Sequence, residues 1–98
     1  MLIRYRTKKL QKICENPKEA VKKYGLNMAL KIHQRIDEIR AFSRVKELIE
    51  WSIGRCHELS GDRKGQYSMD LEHPYRLIFT QYDDTTITVR IKEIVDYH

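Results

Sequence analysis

The strand-like run from Ile87 to Val95 leads into Asp96, Tyr97 and His98, a carboxylate, a phenol and an imidazole in succession. Side chains of these three types accept, donate and shuttle protons near neutral pH. A purely structural strand would end in turn residues, so a titratable cluster on the final strand of a small chain points to a lined site. Two further residues qualify as candidates. His57 sits in the stretch Arg55-Cys56-His57-Glu58-Leu59. Arg76 lies between Tyr75 and Leu77, which should face the core and so turn Arg76 and Ile78 to the other side. There a guanidinium matches the geometry of a phosphate. Each also has a plainer reading, His57 as a structural histidine and Arg76 as a surface arginine lying over apolar area.

Common enzyme signatures are missing. The chain has no glycine-rich phosphate loop, no paired-cysteine zinc pattern, no His-Glu-x-x-His and no Gly-x-Ser-x-Gly. An enzyme built from what remains would be a metal-free, cofactor-free acid–base catalyst made of His, Asp, Tyr and Arg. RNA cleavage suits those residue types because RNA carries its own nucleophile, the 2′-hydroxyl. The protein then needs a base, an acid and cations that stabilise the charged phosphorane.

At 98 residues the chain is long enough for one modest core, and residues 1–98 read as a single domain. Hydrophobic residues make up 41 % and charged residues 34 %, a balance that fits a soluble domain with a heavily charged surface. No apolar run is long enough for a bilayer, and Arg4, Arg6, Lys8 and Lys9 lead into more charge instead of a signal-peptide core. A cytoplasmic protein is therefore expected, with Cys14 and Cys56 as free buried thiols. The net charge of +5 is uneven: residues 1–53 hold 13 Lys/Arg against 6 Asp/Glu, and residues 54–98 hold 6 against 8. Such a one-sided excess favours a polyanionic partner.

The elements that must position these residues are readable from period. Leu2 to Tyr5 can open the chain as a strand, and Leu10, Ile13 and Cys14 fall at helical spacing. Asn16-Pro17-Lys18-Glu19 is a helix start, with Gly25 as its stop. Met28, Ala29, Ile32, Ile36, Ile39 and Phe42 form one apolar stripe, which leaves Lys31, Arg35 and Glu38 off it. Ser43 is placed to cap a shorter helix carrying Val45, Leu48 and Ile49, and Gly54 closes the helical half. From Arg55 onward the period changes to two, giving strands near 55–59, 67–71, 75–80 and 87–91 with one buried face. The turns Ser60–Gly65, Glu72–Pro74 and Asp83–Thr85 are short, so antiparallel neighbours are expected. Trp51, Tyr5 and Tyr24 read as core or edge packing. The fold class is α+β: an N-terminal strand and two main helices packed on a twisted, mainly antiparallel sheet of four to five strands.

The stretch from Arg55 through Ser60-Gly61-Asp62-Arg63-Lys64-Gly65-Gln66-Tyr67, then Tyr75-Arg76-Leu77-Ile78-Phe79, then Asp96-Tyr97-His98, resembles the HigB-type toxins. These belong to the RelE/ParE superfamily of bacterial type II toxin–antitoxin systems. The resemblance implies a RelE-like fold and a ribosome-dependent endoribonuclease that cuts mRNA. His57 would be a catalytic acid or base, Arg76 would stabilise the scissile phosphate, and Asp96, Tyr97 and His98 would complete the site. Arg63 and Lys64 would hold RNA backbone, and Lys31 and Arg35 would belong to a helical surface facing ribosomal RNA. The implied partner is a cognate antitoxin, a HigA-like DNA-binding protein, through which alone the toxin would reach operator DNA. Two departures stand out: Ser60 where the family often has lysine, and Leu71-Glu72-His73-Pro74 where an arginine commonly leads into the Arg76 position. The alternatives are a ParE-like toxin that inhibits DNA gyrase, or a non-toxic module that binds an antitoxin through a weakened site.

Overall fold

The computed structural model describes residues 1–82 and 87–96. Its first strand, β1 (Leu2–Tyr5), is followed by four helices: α1 (Lys8–Glu15), α2 (Pro17–Tyr24), α3 (Leu26–Ala41) and α4 (Val45–Glu50). A 3-10 turn, Ile53–Arg55, leads into β2 (His57–Glu58), and a second one, Gly61–Arg63, into β3 (Gln66–Asp70). Strands β4 (Tyr75–Gln81) and β5 (Thr88–Asp96) complete the order. The sheet runs β1-β5-β4-β3-β2, with β2 to β5 antiparallel and β1 parallel to β5. This is the expected α+β architecture with five strands. Among the described residues, no helix is long and apolar enough to cross a membrane.

Local chemistry explains the helix ends. Thr7 caps α1 through its side chain, accepting from the Leu10 N–H at 3.1 Å. Asn16 caps α2 in the same way through Lys18, with Pro17 in the first turn, where its missing N–H costs nothing. Glu47, and not Ser43, closes the start of α4: its Oε1 accepts from the N–H groups of Ser43 and Arg44, each at 3.0 Å.

The helical stripe supplies five of the seventeen buried residues of the core cluster. Met28, Ala29, Ile32, Ile36 and Ile39 on α3 are buried against Met69, Leu77, Phe79, Val89 and Ile91 of the sheet. Burying each such aliphatic side chain is worth roughly 1.5–3 kcal/mol. Arg35 also belongs to that stripe. It falls three residues after Ile32 and four before Ile39, and it is only 7 % exposed. Both cysteines are free and buried. Trp51 is 72 % exposed, contrary to its reading as packing, whereas Tyr5 and Tyr24 are half-buried.

The sheet is buried on more than one face. Ile78 alternates with Leu77 and Phe79, so it points away from the helices, yet it is fully enclosed, as is Ser68 beside it. Arg63 spans this face. Its Nε donates to Gln66 Oε1 at 3.0 Å on β3, and its Nη2 donates to Glu93 Oε2 at 2.6 Å on β5. The side chain therefore crosses β4 where Ile78 lies. The register slips between Ile78 and Phe79, which pair with Glu93 and Ile91 and leave Lys92 as an extra residue on β5.

Candidate active site on the open face of the sheet

Register places the candidates. His57 pairs with Ser68, Ser68 with Ile78, and Ile78 with Glu93, so these four form one row across the sheet. The next row on the same face is Asp70, Arg76 and Val95. His57 and Arg76 are thus two strands and two residues apart, about 12 Å between backbones at ordinary sheet spacings. Side chains as long as arginine and histidine can approach a phosphate from both ends of such a gap.

His57 is exposed at the sheet edge. Its Nδ1 lies 2.8 Å from the carbonyl oxygen of Arg55. A carbonyl can only accept, so Nδ1 carries the hydrogen, and in the neutral ring the Nε2 lone pair is left to take a proton. Cys56, one residue earlier, is no competing nucleophile, because burial pushes its thiol up to about 12. Tyr67, on the other side of Ser68, is likewise raised by burial and by nearby Glu58 and Cys56, which keeps it a neutral phenol.

Asp70 organises the second row. Its Oδ2 is 3.1 Å from Arg55 Nε, and its Oδ1 is 3.8 Å from Arg76 Nε. Its backbone carbonyl accepts from Arg35 Nε at 2.6 Å, and Arg35 Nη1 meets Glu38 Oε1 at 2.8 Å. The Arg35 side chain packs under Gly54, where an added Cβ would fall 2.6 Å from Nε. Between α4 and β2 the backbone turns through left-handed conformations at Ser52, Gly54 and Arg55, with φ of 50°, 56° and 53°. Such values are uncommon for side chains with a Cβ. They bring the Arg55 side chain onto the Asp70 carboxylate.

The remaining expectations separate. Arg35 is not a surface RNA contact, because its guanidinium is enclosed and engaged with Asp70 and Glu38. The apolar reading of α3 passed over a polar residue at the right period. Arg63 lies across the open face in its pair with Glu93, while Lys64 is exposed on the hairpin and Lys31 is half-buried on α3. Asp96 pairs with Tyr75, in the alternation of Ile94 and not that of Arg76, and is exposed at the strand end. Tyr97 and His98 lie outside the described residues. Arg55 and Asp70 were not singled out from sequence, since an arginine opening a strand and an aspartate closing one are ordinary. Asp70 shares a row with Arg76, and Arg55 lies two residues before His57.

A second basic feature lies near the bulge. Arg6, Lys9, Lys23 and Lys92 line a cavity of about 210 Å³ together with Thr7, Leu10 and Tyr24. Arg6 Nε donates to the Lys92 carbonyl at 2.9 Å, which ties the loop after β1 to the bulged strand.

No protein-family profile and no curated protein sequence matches the chain. Solved structures do. The chain is similar over its whole length to all of a YoeB/ParE toxin from Agrobacterium tumefaciens, with 14 % identity and a TM-score of 0.68. It also aligns in full with 98 % of a chain in a YoeB-YefM complex from Staphylococcus aureus, at 21 % identity and a TM-score of 0.65. A heterotetrameric YoeB-YefM toxin-antitoxin complex from the same organism gives 21 % identity, the same coverage and a TM-score of 0.64. At such identities the likeness speaks for architecture. With its four helices and β1-β5-β4-β3-β2 sheet, this chain shares the fold of the YoeB toxin structures it aligns with.

Proposed function

We propose that this chain is the toxin of a type II toxin–antitoxin pair and an endoribonuclease that cleaves mRNA on the ribosome. The observation that carries the reading is the pairing of an exposed imidazole, whose Nε2 is left to take a proton, with Arg76 on one sheet face. In the cleavage, the 2′-oxygen attacks phosphorus, the bond to the 5′-oxygen breaks, and the proton lost by the 2′-hydroxyl is balanced by one delivered to the leaving oxygen. The products are a 2′,3′-cyclic phosphate and a 5′-hydroxyl. His57 moves one of those protons at Nε2, and Arg76 stabilises the extra charge on the phosphorane. Asp96, Tyr97 and His98 are proposed to supply the second proton transfer. Lys64 and Lys31, with the groove of Arg6, Lys9, Lys23 and Lys92, are proposed to hold RNA backbone, which positions the protein without reading sequence. A cognate antitoxin is the proposed partner, in keeping with the YoeB-YefM toxin-antitoxin complexes, one chain of which shares this fold; its HigA-like character is proposed from the sequence resemblance alone.

Mapping of mRNA 5′ ends in a cell-free translation reaction tests the reading, with the wild type beside His57→Ala, Arg76→Ala and a chain lacking His98. New ends that need ribosomes and vanish in the folded variants are expected. No new ends with verified folded wild type would overturn the nuclease, and an SOS response with intact mRNA would point to gyrase instead.

A further inference from the structure

The phosphorane formed during RNA cleavage carries more negative charge than the ground-state diester, and one guanidinium is a thin counterweight. On the open face Arg63 is held by Glu93 and Gln66, away from the row of Arg76. Arg55 is placed otherwise. Its Nε faces Asp70, while 73 % of the side chain is exposed, so much of the guanidinium is turned to solvent. The same Asp70 carboxylate lies 3.8 Å from Arg76 Nε. Its Oδ1 is buried and makes no hydrogen bond among the described residues. One carboxylate therefore faces two guanidiniums. Arg55 is also the residue whose carbonyl fixes the His57 ring.

Resting on the nuclease reading, we propose that Arg55 is a second phosphate-binding cation of the site, and that Asp70 is the positioning residue that aligns it with Arg76. Asp70 is a weak competitor for the substrate. An exposed guanidinium pairs only loosely with a carboxylate, whereas two adjacent guanidinium forks match the oxygens of one phosphate. The buried Arg35 anchors the arrangement from below through the Asp70 carbonyl and the space left by Gly54. Asp70 thus lowers the local charge while it improves the geometry, and these two effects pull an experiment in opposite directions.

The test compares wild type, Arg55→Ala, Arg55→Lys and Asp70→Asn, each checked for folding by circular dichroism. Time-resolved 5′-end mapping in cell-free translation gives kcat and an apparent KM for mRNA. Fluorescence anisotropy with a 2′-O-methylated twelve-nucleotide RNA, whose nucleophile is blocked, gives the salt dependence of binding. Arg55→Ala should cut ~100–1,000-fold more slowly, the scale on which loss of one charge-stabilising donor is felt. Its salt slope should fall by about 0.7, the value for one single-strand phosphate contact. Arg55→Lys should restore the slope but only part of the rate, because an ammonium lacks the planar fork. Asp70→Asn should bind RNA more tightly yet cut more slowly, a split of KM from kcat that lost stability does not produce. If the wild type cuts and Arg55→Ala cuts within twofold, this proposal falls and the nuclease reading stands. The same holds if Asp70→Asn gains in rate as it gains in affinity. If the wild type does not cut, the nuclease reading falls. A retained slope difference would then keep Arg55 as an RNA-phosphate contact, and an equal slope would remove it.

Discussion

Gly54→Ala should be among the most damaging single-methyl changes in this molecule. Two effects act at once. Gly54 has φ of 56°, and an alanine in left-handed backbone costs about 1–2 kcal/mol. The new Cβ would also stand 2.6 Å from Arg35 Nε and 2.8 Å from Cζ, closer than Cβ atoms are found in folded proteins. Relief requires the guanidinium to leave its 2.6 Å bond to the Asp70 carbonyl. Losing a hydrogen bond made by a charged group costs roughly 1.5–3 kcal/mol. The sum is about 2.5–5 kcal/mol, against a whole-domain stability of roughly 5–15 kcal/mol. Urea unfolding measures it directly, and the midpoint of thermal unfolding should drop by at least ~10 °C at about 4–8 °C per kcal/mol for a domain of this size. Gly61→Ala is the control, because φ is 63° there and a Cβ would meet nothing within 4 Å. It should show the backbone cost alone, about 1–2 kcal/mol. In an Arg35→Met background the effect of Gly54→Ala should shrink toward that value, a non-additivity of ~1.5–3 kcal/mol of the kind expected for touching residues. Gly54→Ala no worse than Gly61→Ala would refute the claim that Arg35 is clamped beneath the turn.

Two other outcomes follow from the titrating groups. Glu15 accepts from Arg40 Nη2 at 2.7 and 2.5 Å and from the Tyr5 hydroxyl. Burial raises its pKa, but those donors outweigh burial and hold it below the usual carboxylate value. A lowered folded value means stability that is present above the unfolded pKa and lost as pH falls through the folded one. Glu15→Gln should therefore lose about 0.5–1.5 kcal/mol at neutral pH, and its gap to wild type should narrow in urea titrations taken below the ordinary glutamate pKa of about 4.3. A gap undiminished in strong acid would count against this pairing. Cys56 should resist alkylation: with its thiol pushed up to about 12 by burial, only about one molecule in ten thousand is thiolate at pH 8. Rapid labelling of the folded protein by iodoacetamide at that pH would show the thiol to be exposed.

Much of the fold is legible in the sequence because burial imposes a period. The stripe from Met28 to Ile39 and the alternation from Tyr67 to Phe79 each have one large face to hide, and both appear in the structure. What escaped was the residue that follows the period without the polarity. Arg35 sits at a buried position because two long-range acceptors, Asp70 O and Glu38, satisfy it there. Ile78 escaped for a related reason, since it is enclosed on the face turned away from the helices, where Arg63 reaches across to Glu93. Trp51 read as packing because large aromatics are mostly inside, and the left-handed turn after α4 leaves it outside. For the site, Arg76 is legible as a polar residue on the face opposite Leu77, and His57 as a histidine within a strand-like stretch. Arg55 was not, because its approach to Asp70 depends on a positive φ at a non-glycine residue, which local sequence does not announce. The Asp96 carboxylate falls in the alternation of Tyr75, a consequence of a register that passes through the slip at Lys92.

Asp70 connects the stability of this fold to its chemistry. Its main chain receives the buried arginine of α3, and its side chain faces the exposed Arg55 and the half-buried Arg76 of the site, so a loss on either side reaches the other. A variant at Arg35 lies below the sheet and touches no substrate in the proposed pose, yet it should disturb Arg55 and Arg76 by releasing the carbonyl that fixes Asp70. Reduced cleavage by such a variant would not make Arg35 catalytic. The distinction lies in the salt slope. Removing a phosphate contact lowers the slope by about 0.7. Loosening the support beneath two intact cations leaves the count of contacts unchanged and alters the rate alone. Arg35 variants that keep the slope and lose rate, beside Arg55 variants that lose both, would separate the anchor from the site it carries.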